Sequence, residues 1–153
     1  MVRVRDMHPA RRHLAEDHAR LERLYAELEN ALDSADLAVV QQAWTRFEKD
    51  LLGHLEAEER WLFPLMAADH AADVKELRLE HERLRHLVSE EGLAADLHTL
   101  RKETAQELLT ELRAHGAHED DTVYTWLESV PEPTKLQELL DALVRRAGGI
   151  VSG

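Results

Sequence analysis

The sequence predicts an all-α protein, an up-down antiparallel four-helix bundle with a short extra C-terminal helix. Of its 153 residues 44% are hydrophobic but only 5% aromatic, and the helix formers Ala, Leu, Glu and Arg predominate. Few breakers divide the chain into long segments with short connections, which join antiparallel neighbours. Apolar residues recur at alternating steps of three and four, as they do on the buried face of a helix.

The first predicted helix begins at Pro9 and runs to about Asp33, and residues 33–36 form the turn that follows it. The second predicted helix covers about residues 37–66. It carries Pro64 near its end, where a kink or a stop is expected because proline lacks the backbone N–H and crowds the preceding turn.

The third predicted helix covers about residues 70–91 and stops near Gly92. The fourth begins near Asp96, a residue type that favours the N-cap, and ends before Pro131. These four helices make up a bundle over residues 1–130.

Residues 131–153 are predicted to form a short C-terminal helix and a flexible tail. The helix covers about residues 133–146 and carries leucines on one face, and two glycines follow it. That face favours a lid packed against the bundle, but if exposed it could dimerise, so a monomer and a homodimer both remain open.

Charge and composition exclude several classes of function. The net charge of −12 disfavours nucleic acid as a partner, since phosphate binding needs a basic surface. The chain has no cysteine, which excludes iron–sulfur clusters, thiolate zinc sites and disulfides. The start of the chain does not resemble a signal peptide, and no apolar run reaches membrane-spanning length. The expected location is the cytoplasm, with no membrane partner.

Polar residues interrupt the apolar stripe of every long helix. A histidine occurs in each stripe, and in two of them a glutamate follows four residues later. The six residues are His18, His54, Glu58, His81, His115 and Glu119. Buried carboxylates are costly unless they are paired or bound to a cation. At 1.5 Å per residue all six fall about 12–21 Å from the same end of the bundle, which predicts one site.

The residue types predict a metal site with two ions. Histidine and glutamate four residues apart lie on one helix face. Imidazole and carboxylate together suit iron, manganese or zinc, and a carboxylate can bridge two cations. A single tetrahedral zinc would leave buried ligands over. Ferritin-type bundles use Glu-x-x-His, and zinc proteases use His-Glu-x-x-His; neither pattern occurs here.

The motifs resemble those of the hemerythrin-like (HHE cation-binding) family over residues of about 8 to 130. The matching segments are Asp17-His18, residues 54–64 (HLEAEERWLFP), Glu80-His81, and residues 115–119 (HGAHE) followed by Tyr124. The resemblance implies a non-haem centre of two carboxylate-bridged iron ions. It also implies open coordination for O₂ or a related small ligand.

The chain departs from the oxygen-carrying hemerythrins at two positions. They have a second histidine four residues after the first in the third helix, where this chain has Arg85, and an aspartate in the fourth helix, where it has His-x-x-x-Glu. The lost imidazole leaves a coordination position for water, Tyr25 or an exogenous ligand. Alternatively, Arg85 lies at the flank and holds an outer carboxylate. Both departures favour reaction with peroxide or nitric oxide, or iron sensing, over reversible O₂ carriage.

Other residues receive lesser roles. Glu59 and Asp120 are predicted to be solvated or to lie outside the ligand set, and His118 is an alternative to His115 as a ligand. Four aromatic residues are assigned to the core, where they would also keep the site dry: Trp44, Phe47, Trp61 and Trp126. Five histidines are assigned to the surface: His8, His13, His70, His86 and His98.

Three functions are consistent with these predictions. The first is a di-iron protein that binds O₂, nitric oxide or peroxide for storage, sensing or detoxification. The second is a di-iron enzyme with catalase-like, peroxidase-like or oxidase activity. The third, a metal-free or iron-storing interaction module, is disfavoured by six buried residues of metal-ligand type.

Overall fold

The computed structural model describes residues 9–129 together with Asp141 and Arg145. Residues 9–129 form four long helices, α1 (Pro9–Ser34), α2 (Leu37–Ala57), α3 (Ala71–Asp96) and α4 (Lys102–Ser129). Between α2 and α3 the helix continues through a π-helical turn, Glu58–Leu62, and one more α-helical turn, Phe63–Met66. The predicted C-terminal helix and tail lie outside the described residues, except for the two isolated positions.

The helices form the predicted up-down antiparallel bundle. Each packs against two neighbours, in the order α1, α2, α3, α4 and back to α1. An ion pair between Lys102 and Asp33 joins the start of α4 to the end of α1, as antiparallel neighbours require. The carboxylate of Asp36 caps α2 by accepting hydrogen bonds from the backbone N–H groups of Ala38 and Val39. In the part of the chain that the structure describes, no helix is long and apolar enough to cross a membrane.

The boundary between the third and fourth helices differs from the prediction. α3 continues through Gly92 to Asp96, so Asp96 is not the N-cap of α4, which begins at Lys102. Gly92 is buried against α2: an added Cβ would lie 3.3 Å from Trp44 Nε1 and 2.8 Å from Glu48 Oε2. This glycine therefore permits a close helix–helix approach and does not end α3. The chain reverses at His98, whose φ of 58° lies in the left-handed region.

The expected kink near Pro64 takes the form of the π turn directly before it. Proline cannot donate a hydrogen bond and crowds the carbonyl four residues earlier, and the N–H of Phe63 reaches back five residues to the carbonyl of Glu58. The extra residue in this turn shifts the apolar stripe by one position. As a result Leu62 and Met66 are fully buried, whereas Trp61 and Leu65, predicted for the core stripe, are only half-buried.

Two apolar clusters fill the bundle. One is centred on Phe47, Leu51 and Leu84, with Trp44 beside them. The other contains Leu14, Leu62, Phe63, Leu77 and Trp126. The six predicted ligand residues lie in the layer between these clusters. Polar side chains there are shielded from water on both sides, which makes their mutual arrangement energetically important.

Candidate metal centre

The structure brings all six predicted ligand residues together. Five of them are buried, and His18 is the most accessible, with 20% of its side chain exposed. They form two overlapping clusters, each of which holds one ligand atom per residue within 4.8 Å of the others. The first cluster contains His18 and His54 with Glu58 and Glu119. The second contains His81 and His115 with the same two glutamates.

In the first cluster the Nε2 atoms of both histidines point to the shared carboxylates. Nε2 of His18 lies 3.2 Å from Oε2 of Glu119. Nε2 of His54 lies 3.1 Å from Oε1 of Glu58, one turn further along the same helix. Histidine and carboxylate from three helices therefore face one point.

The second cluster repeats this arrangement with α3 and α4. Nε2 of His115 lies 2.7 Å from Oε1 of Glu119. Nε2 of His81 lies 3.4 Å from Oε1 of Glu58 and 3.4 Å from Oε1 of Glu119. The two Nε2 atoms are 3.1 Å apart. Since each glutamate belongs to both clusters, the pair could bridge two cations.

The ionisation of the site is strongly perturbed. Burial by itself would lower the pKa of the imidazoles, but hydrogen bonds and charges from nearby carboxylates raise it to about 10 for His18 and His81 and to about 9 for His54. Burial by itself would raise the pKa of Glu119, but contacts with the histidines hold it well below its usual range. Without a cation, the layer binds protons to balance its carboxylates.

A metal pair fits this donor set. Oε1 of Glu58 and Oε2 of Glu119 are buried, and the imidazole nitrogens that lie 3.1–3.4 Å from them are not aligned for a hydrogen bond. An unsatisfied buried carboxylate oxygen is costly unless a cation binds it. Both orphaned oxygens belong to the two shared glutamates, which is where bridged cations would lie.

A second set of carboxylates orients the imidazoles from outside. Four acidic residues face the Nδ1 atoms of the four rings. Asp17 contacts His54, Glu59 lies 2.9 Å from His81, Glu80 lies 2.7 Å from His115, and Asp120 lies 3.6 Å from His18. A carboxylate on Nδ1 fixes the ring orientation and leaves Nε2 free for a metal.

These outer contacts run around the bundle in one direction. The carboxylate of α1 orients the ring of α2, that of the π turn orients the ring of α3, that of α3 orients the ring of α4, and that of α4 orients the ring of α1. Each outer carboxylate is next in sequence to a ligand residue of its own helix. Glu59 and Asp120 were predicted to lie outside the ligand set, whereas Asp17 and Glu80 entered the prediction only as parts of the family motifs.

Basic groups in turn hold three of these carboxylates. Arg20 pairs with Asp17. The guanidinium of Arg85 pairs with both oxygens of Glu59 at 3.0–3.3 Å, so Arg85 lies at the flank, the second of the two predicted alternatives. Nδ1 of His118 lies 2.7 Å from Glu80. His118 is thus part of the outer shell and belongs to neither central cluster.

Of the remaining predicted residues, the described surface histidines belong to neither cluster. His70, His86 and His98 are exposed as predicted, while His13 is half-buried and lies 3.5 Å from Glu16. His8 and the side chain of Tyr124 lie outside the described part of the structure. Tyr25 is buried next to the site, and burial, followed by the charges of Glu22 and Glu119, raises the pKa of its phenol. It therefore remains protonated near neutral pH.

The fold and this layer define the class of protein: a four-helix bundle whose core is built to bind cations through histidine and glutamate. The model of the hemerythrin HHE cation-binding domain matches residues 10–127, and the chain belongs to that family. No curated protein and no solved structure matches the chain significantly. The family membership confirms the predicted resemblance and the cation-binding character of the domain.

Proposed function

We propose that the protein is a cytoplasmic non-haem di-iron protein that binds O₂, nitric oxide or peroxide for storage, sensing or detoxification. The observation that carries this proposal is the pair of shared glutamates, Glu58 and Glu119, between two pairs of imidazoles. Each ion would receive two histidines and both carboxylates. Nitrogen and oxygen donors of this kind suit iron, and six-coordinate ions would keep open positions for a small ligand.

When bound, the metal pair supplies those open positions and the electrons for redox chemistry. The protein supplies apolar packing around the ligand layer. Phe63 packs on His81, with the ring centroids 5.0 Å apart, and Trp126 belongs to the apolar cluster beneath the layer. Together with the outer carboxylates, these contacts hold each Nε2 atom toward the ions.

Metal content per chain after anaerobic Fe(II) loading tests the proposal. We expect two irons per chain and a new iron charge-transfer absorption band when O₂ is admitted. Glu119→Ala removes a carboxylate shared by both clusters, so it should bind fewer than two irons per chain. His86→Ala, at an exposed histidine, is the matched control and should bind two. A Glu119→Ala protein that still holds two irons would refute the bridging assignment.

A di-iron enzyme that decomposes peroxide or oxidises a small substrate is the second candidate. This candidate is favoured by Arg85, which stands where the oxygen-carrying hemerythrins have a second histidine in the third helix. The guanidinium of Arg85 pairs with Glu59 at the flank, so it does not replace that imidazole as a ligand. Turnover separates the two candidates. A binding protein gives a stable spectrum after one addition of ligand, whereas an enzyme consumes many equivalents of peroxide per chain.

A further inference from the structure

A cleft between α1 and α4 reaches the candidate metal centre from the surface. It encloses about 250 Å³, and four ligand residues line its inner end: His18, His54, His115 and Glu119. Exposed Ala117 and Asp120 lie at its rim. A molecule in this cleft would therefore lie directly beside the ions of the proposed centre.

The cleft is larger than a diatomic ligand requires. Its volume is several times the roughly 30 Å³ that one water molecule takes up in the liquid and lies just below the range of about 300–1,000 Å³ that is typical for drug-sized ligands, which leaves room for a small organic group. Much of the wall is apolar, with Leu21, Leu51 and Leu55 among its residues. Both its size and its walls suit a ligand with an organic body.

Gly116 helps to keep this cleft open. It follows His115 in the interior of α4, where glycine costs about 0.5–1 kcal/mol relative to alanine. Its φ is not positive, and an added Cβ would meet nothing within 4 Å. Neither backbone conformation nor close packing explains this glycine, in contrast to Gly92. The space beside it is part of the cleft.

The charges at the rim favour a neutral ligand. Arg113 is held by Glu22 and Glu29 at 2.8 Å each, and its guanidinium lies 5.7 Å from the ring centroid of Tyr25. Its charge is thereby compensated, and the exposed carboxylate of Asp120 adds negative charge to the rim. Organic anions would be repelled there, whereas neutral molecules would not.

We propose that the cleft admits neutral organic hydroperoxides to the metal centre and that Gly116 sets their size limit. This inference rests on the proposed function. Among its ligands, O₂ and nitric oxide need no such space, whereas a peroxide can carry an organic group that fills an apolar cleft. The O–O bond breaks, two electrons come from two Fe(II) ions, and two protons are taken up. The products are one alcohol, one water and two Fe(III) ions.

The test compares two neutral peroxides that differ in size. Iron-loaded protein is mixed anaerobically with cumene hydroperoxide or with hydrogen peroxide, and oxidation is followed by absorbance. Gly116→Leu should lower the rate with cumene hydroperoxide relative to the rate with hydrogen peroxide by about tenfold or more. Even one methylene group more or less in an apolar pocket discriminates between substrates by about 10–200-fold. Ala114→Leu, an exposed position on the other side of α4, is the control and should leave the ratio unchanged.

A second readout does not depend on the reaction. Cumyl alcohol, the product, should bind to the zinc-loaded parent protein in saturation-transfer NMR, and its signal should be lost in Gly116→Leu. If Gly116→Leu fails to hold metal, Ala117→Leu narrows the same cleft from the rim and should give the same two results.

The outcomes separate the two proposals. A parent protein that reacts with hydrogen peroxide but not with cumene hydroperoxide overturns this inference and leaves the proposed function standing. The inference is also overturned, and the proposed function left standing, if Gly116→Leu and Ala117→Leu both leave the ratio of the cumene hydroperoxide rate to the hydrogen peroxide rate unchanged. A parent that holds two irons but reacts with neither peroxide overturns the inference alone, provided that it binds O₂ or nitric oxide. A parent that holds no iron overturns both.

Discussion

At the scale of single residues, the candidate centre depends on pairs in which a carboxylate of one helix orients an imidazole of the next. Asp17 is fully buried and contacts His54, and Arg20 in turn contacts Asp17. Glu80 contacts His115 and His118 at 2.7 Å each. Since the four outer carboxylates divide evenly between the two clusters, the two metal positions of the proposed centre should respond separately to substitution.

Asp17→Asn should weaken one metal position and Glu80→Gln the other. Each change removes the negative charge behind one imidazole, and loss of such a partner typically lowers metal affinity by about 10–100-fold. Titration of the metal-free protein with Fe(II) against a competing chelator measures the iron affinity of both binding steps. Each single variant should shift one step, and the double variant should shift both.

Asp33→Asn, at an exposed carboxylate far from the centre, is the control for this titration. The helical circular dichroism of each variant shows whether the bundle is intact. If either single variant shifted both steps equally, the assignment of Asp17 and Glu80 to separate clusters would be wrong.

The sequence predicted the residues of the central His and Glu clusters better than the carboxylates around them. The six ligand-type residues could be found because each interrupts an apolar stripe at a common depth. Asp17 is fully buried and lies at steps of three and four from Leu14 and Leu21, so the stripe does offer it as a polar interruption beside His18. Its role, like that of half-buried Glu80, becomes recognisable only when the neighbouring helix is in place, because the ring that each one orients is more than 30 residues away in sequence.

At the scale of elements, the register of the second helix decides which side chains reach the site. Glu58 and Glu59 are the first residues of the π turn. Glu58 points to the centre, and Glu59 reaches His81 on α3. A π turn of this kind is common at functional sites. Periodicity predicted the stripe correctly up to Glu58 and failed after it, because it cannot detect one inserted residue.

Gly92 and Gly116, which both lie in helix interiors, should respond oppositely to alanine. Gly116→Ala should stabilise the protein by about 0.5–1 kcal/mol, since the added methyl group meets open space and the unfolded chain loses freedom. Gly92→Ala should destabilise it by about 1–3 kcal/mol. Its methyl group would displace the carboxylate of Glu48, which accepts a hydrogen bond from Trp44 Nε1 at 2.6 Å.

Urea unfolding of the metal-free proteins measures both changes on one scale. Metal content after loading serves as the control, because neither substitution touches a ligand. If Gly92→Ala stabilised the protein as much as Gly116→Ala, the close approach of α3 to α2 would have no energetic role. The early stop predicted for the third helix would still be wrong, because the helix runs to Asp96.

At the scale of the whole molecule, a layer of buried charge lies between two apolar clusters in a chain of net charge −12. The up-down topology and the four long helices of the bundle followed from the sequence because short turns and helical periodicity are local signals. Coupling between the buried groups is not local, since it depends on the distances among side chains from all four helices. It should appear in the response of the whole bundle to pH.

The free energy of unfolding of the metal-free protein should fall as the pH rises from about 6.5 to about 10. The pKa values of His18 and His81 are raised from 6.5 to about 10 in the folded state, and that of His54 to about 9. A raised histidine pKa gives stability that is complete below the unfolded value and is lost as the pH passes the folded value. For Glu119 the folded pKa is lowered, so its contribution is lost below about pH 4.5.

Stability should therefore be greatest near pH 5–6 and fall above it by more than about 1.4 kcal/mol, the equivalent of one pKa unit at one group. Urea unfolding of chelator-treated protein at pH 5.5, 7.5 and 9.5 measures this dependence, and His81→Asn should flatten it. Metal loading should reverse the sign, because cations replace the protons of the imidazoles and bind more tightly as the pH rises. If the metal-free protein instead gained stability between pH 6.5 and 10, its histidines would not carry the charge that balances Glu58 and Glu119.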